Sequence, residues 1–461
     1  MSGKNKNKHI TRHSRLRHER DMDGIEEEMM ATVSDHMDLL CCHKVQDSLL
    51  SSASRFTDYR GIFNWCVIML VLTHAHLFLE NFIQHGFLVD LRKVIQHLVE
   101  DNYNWPSVYL ILAANVFVVA ALLLEKWQEK GFISPRVGRV LEVGNLLVLM
   151  GFPAAVILHK STSITVGGSM LSLCVYTIIA LKMYSYHDVN SWYRQGHLSN
   201  SAGMKKETKQ ERREYQDQLT LKDLYYFLLA PTLCYQLDFP RNETIRKNFL
   251  FQRLMEMLIL IQLMVGIVQQ WISPIIQRSE YTFTNMDMTA KIEHLMELAA
   301  PNHFLWLILF YLFSHSCLNF TAELLRFGDR EFYGDWWNAD NLKAFWSKWN
   351  APFHKWSSRH LYRPLIQKRL PPRKAELIVF VMSAAMCEYL IAIPLHMFRL
   401  WIFGIMILEI KVTFFLGHYF TGNYGNGMVW LCMLLGPPIA ILTYFHDYYM
   451  MNRDQSSWIL Y

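Results

Sequence analysis

Charge is scarce in this chain of 461 residues: only 18% are Asp, Glu, Lys or Arg, and the formal net charge is +5. Together with a hydrophobic fraction of 52%, this composition excludes a disordered, fibrous or nucleic-acid-binding protein. A hydrophobic segment is also missing from the first 20 residues, which are polar and basic. We therefore expect no cleavable signal peptide, and we expect the first hydrophobic helix to direct membrane insertion.

Cysteine pairs with the spacing of a metal or redox site are missing as well. The eight cysteines are scattered, mostly within apolar runs, and none belongs to a C-x-x-C pair. The sequence therefore predicts neither a disulfide framework nor a zinc site, and no metal site at all. The eight are Cys41, Cys42, Cys66, Cys174, Cys234, Cys317, Cys387 and Cys432.

Long hydrophobic runs make up much of the chain, which contains 28 Phe, 24 Met, 22 Tyr and 14 Trp. A membrane-spanning helix needs about 20 apolar residues, so roughly 240 of them suffice for about eight to ten spans. We predict an all-α, polytopic membrane protein with about nine transmembrane helices. The apolar windows are residues 62–80, 106–124, 140–158, 165–185, 250–272, 301–325, 376–394, 397–419 and 427–447. The last three are separated by very short links, so broken or re-entrant segments stay open there.

Lys and Arg are concentrated in alternate connections, and this bias predicts the orientation. If the amino terminus is cytosolic, the cytosolic connections contain the basic residues at 126–139, 205–213 and 326–374. The connections on the other side contain few. The sequons at Asn242 and Asn319 then lie in a cytosolic link and inside a span, where glycosylation is not expected. We expect the amino terminus in the cytosol and the carboxyl terminus on the opposite side.

Three segments lie outside the predicted spans. Residues 1–55 are predicted to form a disordered cytosolic tail, and residues 56–461 one transmembrane domain. Within that domain, the cytosolic links near 190–248 and 327–374 are not ordinary loops. The second has aromatic residues interleaved with Lys and Arg, a pattern typical of helices that lie in the membrane interface. A helix that only anchors the chain is the alternative.

The second link contains a specific motif, Phe332-Tyr333-Gly334-Asp335-Trp336-Trp337-Asn338. It resembles the FYxDWWN signature of the membrane-bound O-acyltransferases that esterify sterols or diacylglycerol. Seven positions with one free and four aromatic are not expected to match by chance. Other runs, among them HDVNSWYR, PNHFLWLILFY and GNYGN, extend the resemblance over nearly the whole chain after about residue 40. They favour the diacylglycerol acyltransferase branch of animals over the sterol branch.

The resemblance implies a bundle of about nine helices around a chamber in the endoplasmic reticulum membrane. Acyl-CoA would enter from the cytosolic face, diacylglycerol would enter sideways from the bilayer, and triacylglycerol would return to it. Acyl-CoA is a substrate, so no cofactor is implied. Members of the family tend to be dimers, and we expect a homodimer or homo-oligomer.

Acyl transfer from a thioester to a hydroxyl group needs a base for the hydroxyl proton and a donor for the oxyanion, both sheltered from water. In the family the base is a His in the seventh helix, aided by an Asn on the preceding cytosolic segment. The Asn corresponds to Asn350, but ungapped spacing from it places Cys387 at the position of the His. Cysteine is mostly a thiol at neutral pH and is a poor base. Two other roles remain open for Cys387, an acyl acceptor and a packed core residue.

Three further positions depart from the family pattern. Glu409 and Pro437 stand where the family usually has Gln. Glu376 stands where a basic residue facing the nucleotide is expected, although Arg373 and Lys374 are close by. Together with Cys387, these changes make an altered or silent chamber a specific alternative.

Two sets of candidate binding residues follow. The residues predicted to bind acyl-CoA are Phe332, Tyr333, Asp335, Trp336, Trp337, Asn338, Trp349, Arg373 and Lys374. Polar residues inside spans are candidates by default, and those predicted to line the acceptor chamber are His315, Glu388, Tyr389 and Glu409. Among the histidines His315 is the best substitute base. A buried His bonded to a backbone carbonyl is its alternative role.

The main hypothesis is an acyl-CoA:diacylglycerol O-acyltransferase. The alternative is a catalytically silent relative that keeps the fold and binds acyl-CoA or lipid. A sterol O-acyltransferase is the third hypothesis.

Overall fold

Most of the backbone is helical, as expected for a chain that must pair its own N–H and C=O groups inside a bilayer. The computed structural model describes residues 105–159, 164–200, 219–278, 286–416, 419–420 and 422–452. Within these ranges there is no β-strand, and a single isolated bridge joins Arg241 to Phe327. The predicted all-α class is confirmed. The predicted tail at 1–55 and the first apolar window at 62–80 lie outside the described residues.

Fifteen α-helices follow one another in the described ranges. The first six are α1 (Trp105–Glu129), α2 (Pro135–His159), α3 (Val166–Asn200), α4 (Leu221–Leu229), α5 (Lys247–Ile267) and α6 (Ser273–Arg278). The next five are α7 (Met288–Phe310), α8 (Leu318–Leu324), α9 (Leu342–Trp349), α10 (Ala351–Ser357) and α11 (Arg363–Gln367). The last four are α12 (Pro372–Ala392), α13 (Trp401–Leu416), α14 (Gly422–Leu435) and α15 (Pro437–Met451).

Seven helical stretches in the described part are long and apolar enough to cross a membrane. They are Pro106–Glu129, Pro135–His159, Val166–Arg194, Lys247–Arg278, Met288–Leu324, Pro372–Ala392 and Gly422–Met451. Each coincides with a predicted window. The window at 397–419 contains α13, whose 16 residues are fewer than the about 20 that a span needs. A sharp connection precedes α13, with positive φ at His396 and Leu400, so this part of the bundle is broken.

The sixth predicted window began too late. The helical stretch starts at Met288, whereas the apolar window begins at residue 301. The first three turns contain Glu293, His294 and Glu297, which interrupt the apolar run without interrupting the helix.

Two spans contain a π-helical turn, which fits an extra residue into the helix. One turn, Val268–Ile272, joins α5 to α6, and the other, Tyr311–Cys317, joins α7 to α8. Such turns are rare and occur frequently at functional sites. The second one contains His315, a predicted chamber residue.

Lys182 of α3 holds α4, the helix in the first link, by hydrogen bonds. Its ammonium group is buried and donates hydrogen bonds to the carbonyl oxygens of Phe227, Leu228 and Ala230, at 2.8, 2.8 and 2.6 Å. These carbonyls belong to the end of α4, where helical carbonyls lack partners and the helix dipole favours a positive charge. The lysine therefore completes α4 and fixes it against the bundle.

Glu323 accepts hydrogen bonds at the start of α5, as Lys182 donates them at the end of α4. Its buried carboxylate accepts hydrogen bonds from the backbone N–H of Arg246, at 2.6 Å, and from the guanidinium of the same residue, at 2.9 Å. Arg330, at the start of the second link, also pairs with it. Glu323, at the end of α8, thus joins the start of α5, which follows the first link, to the start of the second link.

We expect Lys182→Met to destabilise the protein, because it leaves the carbonyl oxygens of Phe227 and Leu228 without their donor, whereas that of Ala230 keeps the N–H of Thr232. Each unsatisfied buried group costs about 1–3 kcal/mol, so the loss should be about 2 kcal/mol or more and lower the midpoint of thermal unfolding in detergent. Lys130→Met, at the exposed end of α1, is the control, with an expected change within about 0.5 kcal/mol. Equal midpoints for the two variants would contradict the role of Lys182.

Candidate active site

Aromatic rings of the second link pack inward against α7. Trp349 stacks on Trp306 with ring centroids 4.0 Å apart and planes 4° from parallel. Trp336 meets Phe310 and Trp349 edge-on, at 5.0 and 4.8 Å. We call Trp306, Phe310, Trp336 and Trp349 the aromatic wall. An anchor alone would leave these rings at the surface, so the link is part of the packed bundle.

The signature is held by the backbone of the helix that follows it. The N–H of Gly334 donates to the carbonyl of Lys348 at 2.8 Å, and the N–H of Ala351 donates to the carbonyl of Phe332 at 3.1 Å. Of its side chains, those of Phe332 and Trp336 are buried and that of Tyr333 is half-buried. The remaining ones, Asp335, Trp337 and Asn338, are exposed.

Asp335 is paired within the link. Its carboxylate lies 2.8 Å from the Lys348 ammonium, whose hydrogen bond holds the pKa of Asp335 below its usual range. The carboxylate therefore stays ionised at neutral pH. Because its charge is already neutralised by a lysine, it adds little repulsion toward an anionic donor such as acyl-CoA.

Asn350 caps α10. Its side-chain oxygen accepts a hydrogen bond from the backbone N–H of Phe353 at 3.1 Å, and the residue is exposed. The cap fixes the orientation of the side chain, since one amide oxygen is committed to the helix. Asn350 is therefore positioned directly beside Trp349 of the aromatic wall.

Tyr333 connects the signature to the interior of a span. Its hydroxyl group lies 2.7 Å from Nδ1 of His315, and the ring of Tyr311 packs 4.7 Å from the imidazole. Burial raises the pKa of the Tyr333 hydroxyl, which keeps it a neutral partner. The alternative role for His315 was a hydrogen bond to a backbone carbonyl. The imidazole Nδ1 instead contacts the side chain of Tyr333. The structure thus brings two predicted residues together.

Cys387 lies on α12 in an apolar cluster. Buried members of that cluster are Ala384, Ile391, Leu395, Met397, Ile402, Met406, Ala440 and Tyr444. Trp346 of α9 belongs both to this cluster and to the group around the aromatic wall, and its ring lies 6.3 Å from that of Phe380. Phe380 is two helical turns before Cys387, so the thiol lies about 10 Å further along α12. Trp346 therefore connects the group around the aromatic wall to the apolar cluster that contains Cys387.

Glu388 braces the broken connection before α13. Its buried carboxylate accepts hydrogen bonds from the backbone N–H of Phe403, at 3.0 Å, and from the hydroxyl group of Tyr444. That hydroxyl oxygen in turn accepts from the N–H of Arg399 at 3.2 Å. A residue predicted to line the chamber is thus bonded to the helix ends.

Tyr389 is directed to another helix. Its hydroxyl group donates to the carbonyl oxygen of Met150 in α2 at 2.7 Å. Consecutive residues of a helix point about 100° apart, which separates the partners of Cys387, Glu388 and Tyr389. The three consecutive residues therefore contact three different parts of the bundle.

Glu409 is buried at the junction of α14 and α15. A Cβ atom added to Gly436 would lie 2.4 Å from its Oε1 atom, and the Trp346 indole lies beside it. Pro437 begins α15, where a missing N–H costs nothing. The carboxylate of Glu409 thus lies beside Trp346, which also contacts the cluster around Cys387.

The basic residues predicted to bind the nucleotide are at the start of α12. Arg373 and Lys374 are exposed there. Glu376, one turn on, pairs with Lys343 of α9 at 2.8 Å. This ion pair neutralises the charge of Glu376, so the acidic residue adds little repulsion near the exposed Arg373 and Lys374.

A buried network that the sequence patterns did not reveal holds the second link to α3. His360 lies 2.8 Å from the Ser185 hydroxyl through Nε2 and 2.7 Å from the Asp188 carboxylate through Nδ1. This order of atoms is that of a nucleophilic triad. However, Ser185 is 0% exposed, and its oxygen already accepts from the Tyr235 N–H at 2.8 Å. The network is structural; its only sequence signal was the polar HDVNSWYR run on an apolar helix.

A second missed cluster closes α1, α2 and α3 at one end. Carboxylate and imidazole atoms of Glu125, Glu142 and His187 lie within 4.8 Å of one another, an arrangement that could hold a metal ion. The guanidinium of Arg194 pairs with both carboxylates, and His187 Nδ1 lies 2.5 Å from Glu125. Because Arg194 supplies the cation, the residues form a salt-bridge network and need no metal.

A bundle of helices long and apolar enough to span a membrane, with an aromatic link packed into it and polar groups inside its spans, defines a polytopic membrane protein. The model of the membrane-bound O-acyltransferase family matches residues 134–446, and the chain belongs to this family.

Individual relatives are diacylglycerol acyltransferases. The chain is 50% identical to diacylglycerol O-acyltransferase 1 of Homo sapiens over 424 residues, which cover 91% of this chain and 86% of that protein. It is 50% identical to the Bos taurus protein of the same name over 428 residues, covering 91% and 87%. A plant relative, diacylglycerol O-acyltransferase 1C of Glycine max, is 35% identical over 418 residues, covering 89% and 79%. The resemblance stated from the sequence is confirmed.

We expect Glu388→Ala to lower the unfolding midpoint far more than Glu388→Gln. Alanine leaves the Phe403 N–H and the Tyr444 hydroxyl buried without an acceptor, at a cost of about 1–3 kcal/mol each. Glutamine keeps one acceptor oxygen and should cost less than half as much. Thermal unfolding in detergent measures the difference. If Gln abolished activity while its midpoint matched the wild type, Glu388 would act in the reaction and not as a brace.

Proposed function

We propose that the protein is an acyl-CoA:diacylglycerol O-acyltransferase that makes triacylglycerol. The observation that carries the proposal is the 50% identity, over 91% of the chain, to relatives named diacylglycerol O-acyltransferase 1. Two features support it: the aromatic signature is packed against the spans, and Arg373 and Lys374 are exposed at the start of α12, which the Lys343–Glu376 ion pair joins to α9. We further propose an endoplasmic reticulum location, a cytosolic amino terminus, assembly as a homodimer or homo-oligomer, and a reaction without a cofactor.

In the proposed reaction the hydroxyl oxygen of diacylglycerol attacks the thioester carbonyl, a base takes the hydroxyl proton, and the thiolate of CoA leaves and is protonated. Arg373 and Lys374 would bind phosphates of acyl-CoA as charge-assisted donors. Asn350 would orient the thioester carbonyl, and its helix cap supports that role by limiting its rotation. The signature residues and Trp349 would form the passage for the pantetheine arm, and Glu409 would contact the acceptor.

The identity of the base is the open chemical step. Cys387 occupies the position of the family His, and its neighbours are committed elsewhere: Glu388 accepts two hydrogen bonds, and Tyr389 donates to Met150. His315 retains an imidazole inside a span, joined to the signature through Tyr333. We propose His315 as the proton acceptor if the chain is active as it stands.

A catalytically silent relative is the second candidate. The apolar surroundings of Cys387 favour it, because apolar side chains do not activate a thiol. Such a protein would bind acyl-CoA without transferring the acyl group.

We expect Cys387→His to raise triacylglycerol formation by about 10²- to 10⁴-fold, the usual contribution of a general base. Protein in lipid nanodiscs receives labelled oleoyl-CoA with diacylglycerol, a sterol or retinol, and the products are separated. Cys387→Ser is the matched control and should stay at the wild-type level.

Each outcome decides between the candidates. Inert wild type with an active Cys387→His variant means that only the base is lost. Inertness of both with retained acyl-CoA binding supports the silent relative. Activity lost in Cys387→Ser, with a hydroxylamine-sensitive acyl group on Cys387, supports a covalent intermediate. Transfer to the sterol alone would contradict the proposed acceptor.

We expect His315→Gln to reduce any wild-type activity by about 10²-fold or more, since Gln keeps a partner for Tyr333 but cannot accept a proton at neutral pH. Tyr333→Phe removes the partner and leaves the imidazole, so a smaller loss is expected. Initial rates against pH provide the readout. Unchanged rates in His315→Gln would exclude His315 as the base.

A further inference from the structure

A small, partly enclosed cavity lies between α7 and α15, away from the residues assigned to acyl transfer. It has a volume of about 10 Å³, room for about one water molecule, and is lined by leucine and isoleucine side chains together with His294, Thr443 and His446. His294 is in the second turn of α7, and His446 is near the end of α15. The cavity is therefore at the end of the bundle where α7 begins and α15 ends.

Two imidazole rings face each other across this cavity. The ring centroids of His294 and His446 are 4.7 Å apart, with planes at 64°. The Nε2 atoms of both rings are buried and make no hydrogen bond within the described residues. Buried polar atoms in proteins are nearly always paired, so two unpaired nitrogens from different helices at one cavity indicate an occupant.

The surroundings of His446 are those of a metal ligand. Its Nδ1 side faces the buried carboxylate of Asp447 at 3.4 Å, and the guanidinium of Arg399 lies 4.0 Å from that carboxylate. A carboxylate on the Nδ1 side favours the proton there and leaves the lone pair on Nε2, an arrangement common behind metal-binding histidines.

We propose that His294 and His446 bind a late first-row divalent metal ion of the zinc type through their Nε2 atoms. Zinc lies about 2.0–2.1 Å from an imidazole nitrogen, which places two coordinating rings roughly 5 Å apart at their centroids. The observed 4.7 Å matches that spacing. Water or a small anion completes the coordination. Imidazole selects zinc, copper or nickel over magnesium and calcium, which prefer oxygen ligands.

The bound metal ion would link the start of α7 to the end of α15. His294 and His446 are absent from the residues assigned to acyl transfer, so the metal site stands whether or not the proposed function does. A single water molecule that donates one hydrogen bond to each Nε2 is the competing occupant, and the experiment separates the two.

The first measurement counts bound metal. Full-length protein, purified through a tag without histidine and stripped with a chelator, is dialysed against zinc, and the bound ion is quantified by mass spectrometry. We expect His446→Gln and His294→Gln each to lower the content by about one ion per chain. His396→Gln, at an exposed position, is the matched control and should leave it unchanged.

The second measurement is thermal unfolding with and without metal. At about 100-fold excess over the dissociation constant, zinc should raise the wild-type midpoint by about 3 °C, and magnesium should not. The rise should vanish in His294→Gln, which keeps the His446–Asp447 pair, and in His446→Gln if that variant folds. Metal content and zinc-induced shift equal to wild type in His294→Gln would overturn the site and leave water between the rings.

Discussion

A polar group that the helices and the bilayer remove from water must find its partner within the protein, and this requirement organises the structure. Lys182 caps the carbonyls of α4, Glu323 fixes the start of α5, and Glu388 closes the turn before α13. His360 ties the second link to α3. Each of these groups would be costly if unpaired, so each fixes the connection that supplies its partner. The second link, which contains the signature, is therefore attached to the spans by buried polar contacts.

The sequence predicts the spans well because a spanning helix requires a continuous apolar run, which is visible in the sequence. Seven windows coincide with helical stretches long enough to cross a membrane. Helix ends are predicted less well, since polar residues can continue a helix beyond the apolar run. Glu293 and Glu297 are in the first turns of α7, and the polar run after residue 185 continues α3 to Asn200. The short α13 shows the reverse case, in which an apolar run is divided by a turn.

The site is predictable only in part, because a motif identifies residues and not their partners. The signature correctly indicates an aromatic link, yet the stacking of Trp349 from that link on Trp306 depends on a helix some 40 residues earlier in the sequence. Cys387, Glu388 and Tyr389 are consecutive, and nothing in their order reveals that they contact three different parts of the bundle. The contact between His315 and Tyr333 joins a span to a link, and neither segment alone predicts it.

Glu409, Gly436 and Pro437 meet at one junction. A Cβ atom at residue 436 would lie 2.4 Å from both the Cys432 carbonyl oxygen and the Glu409 Oε1 atom, so only glycine fits there, and Pro437 contributes no N–H at the same junction. Two glutamines expected from the family would place amide groups here; this chain has a carboxylate and a ring. In the proposed reaction Glu409 would contact the acceptor, and residue 387 would occupy the position of the base. A restored base would then change the rate, whereas the groups beside Glu409 would affect which hydroxyl compound binds.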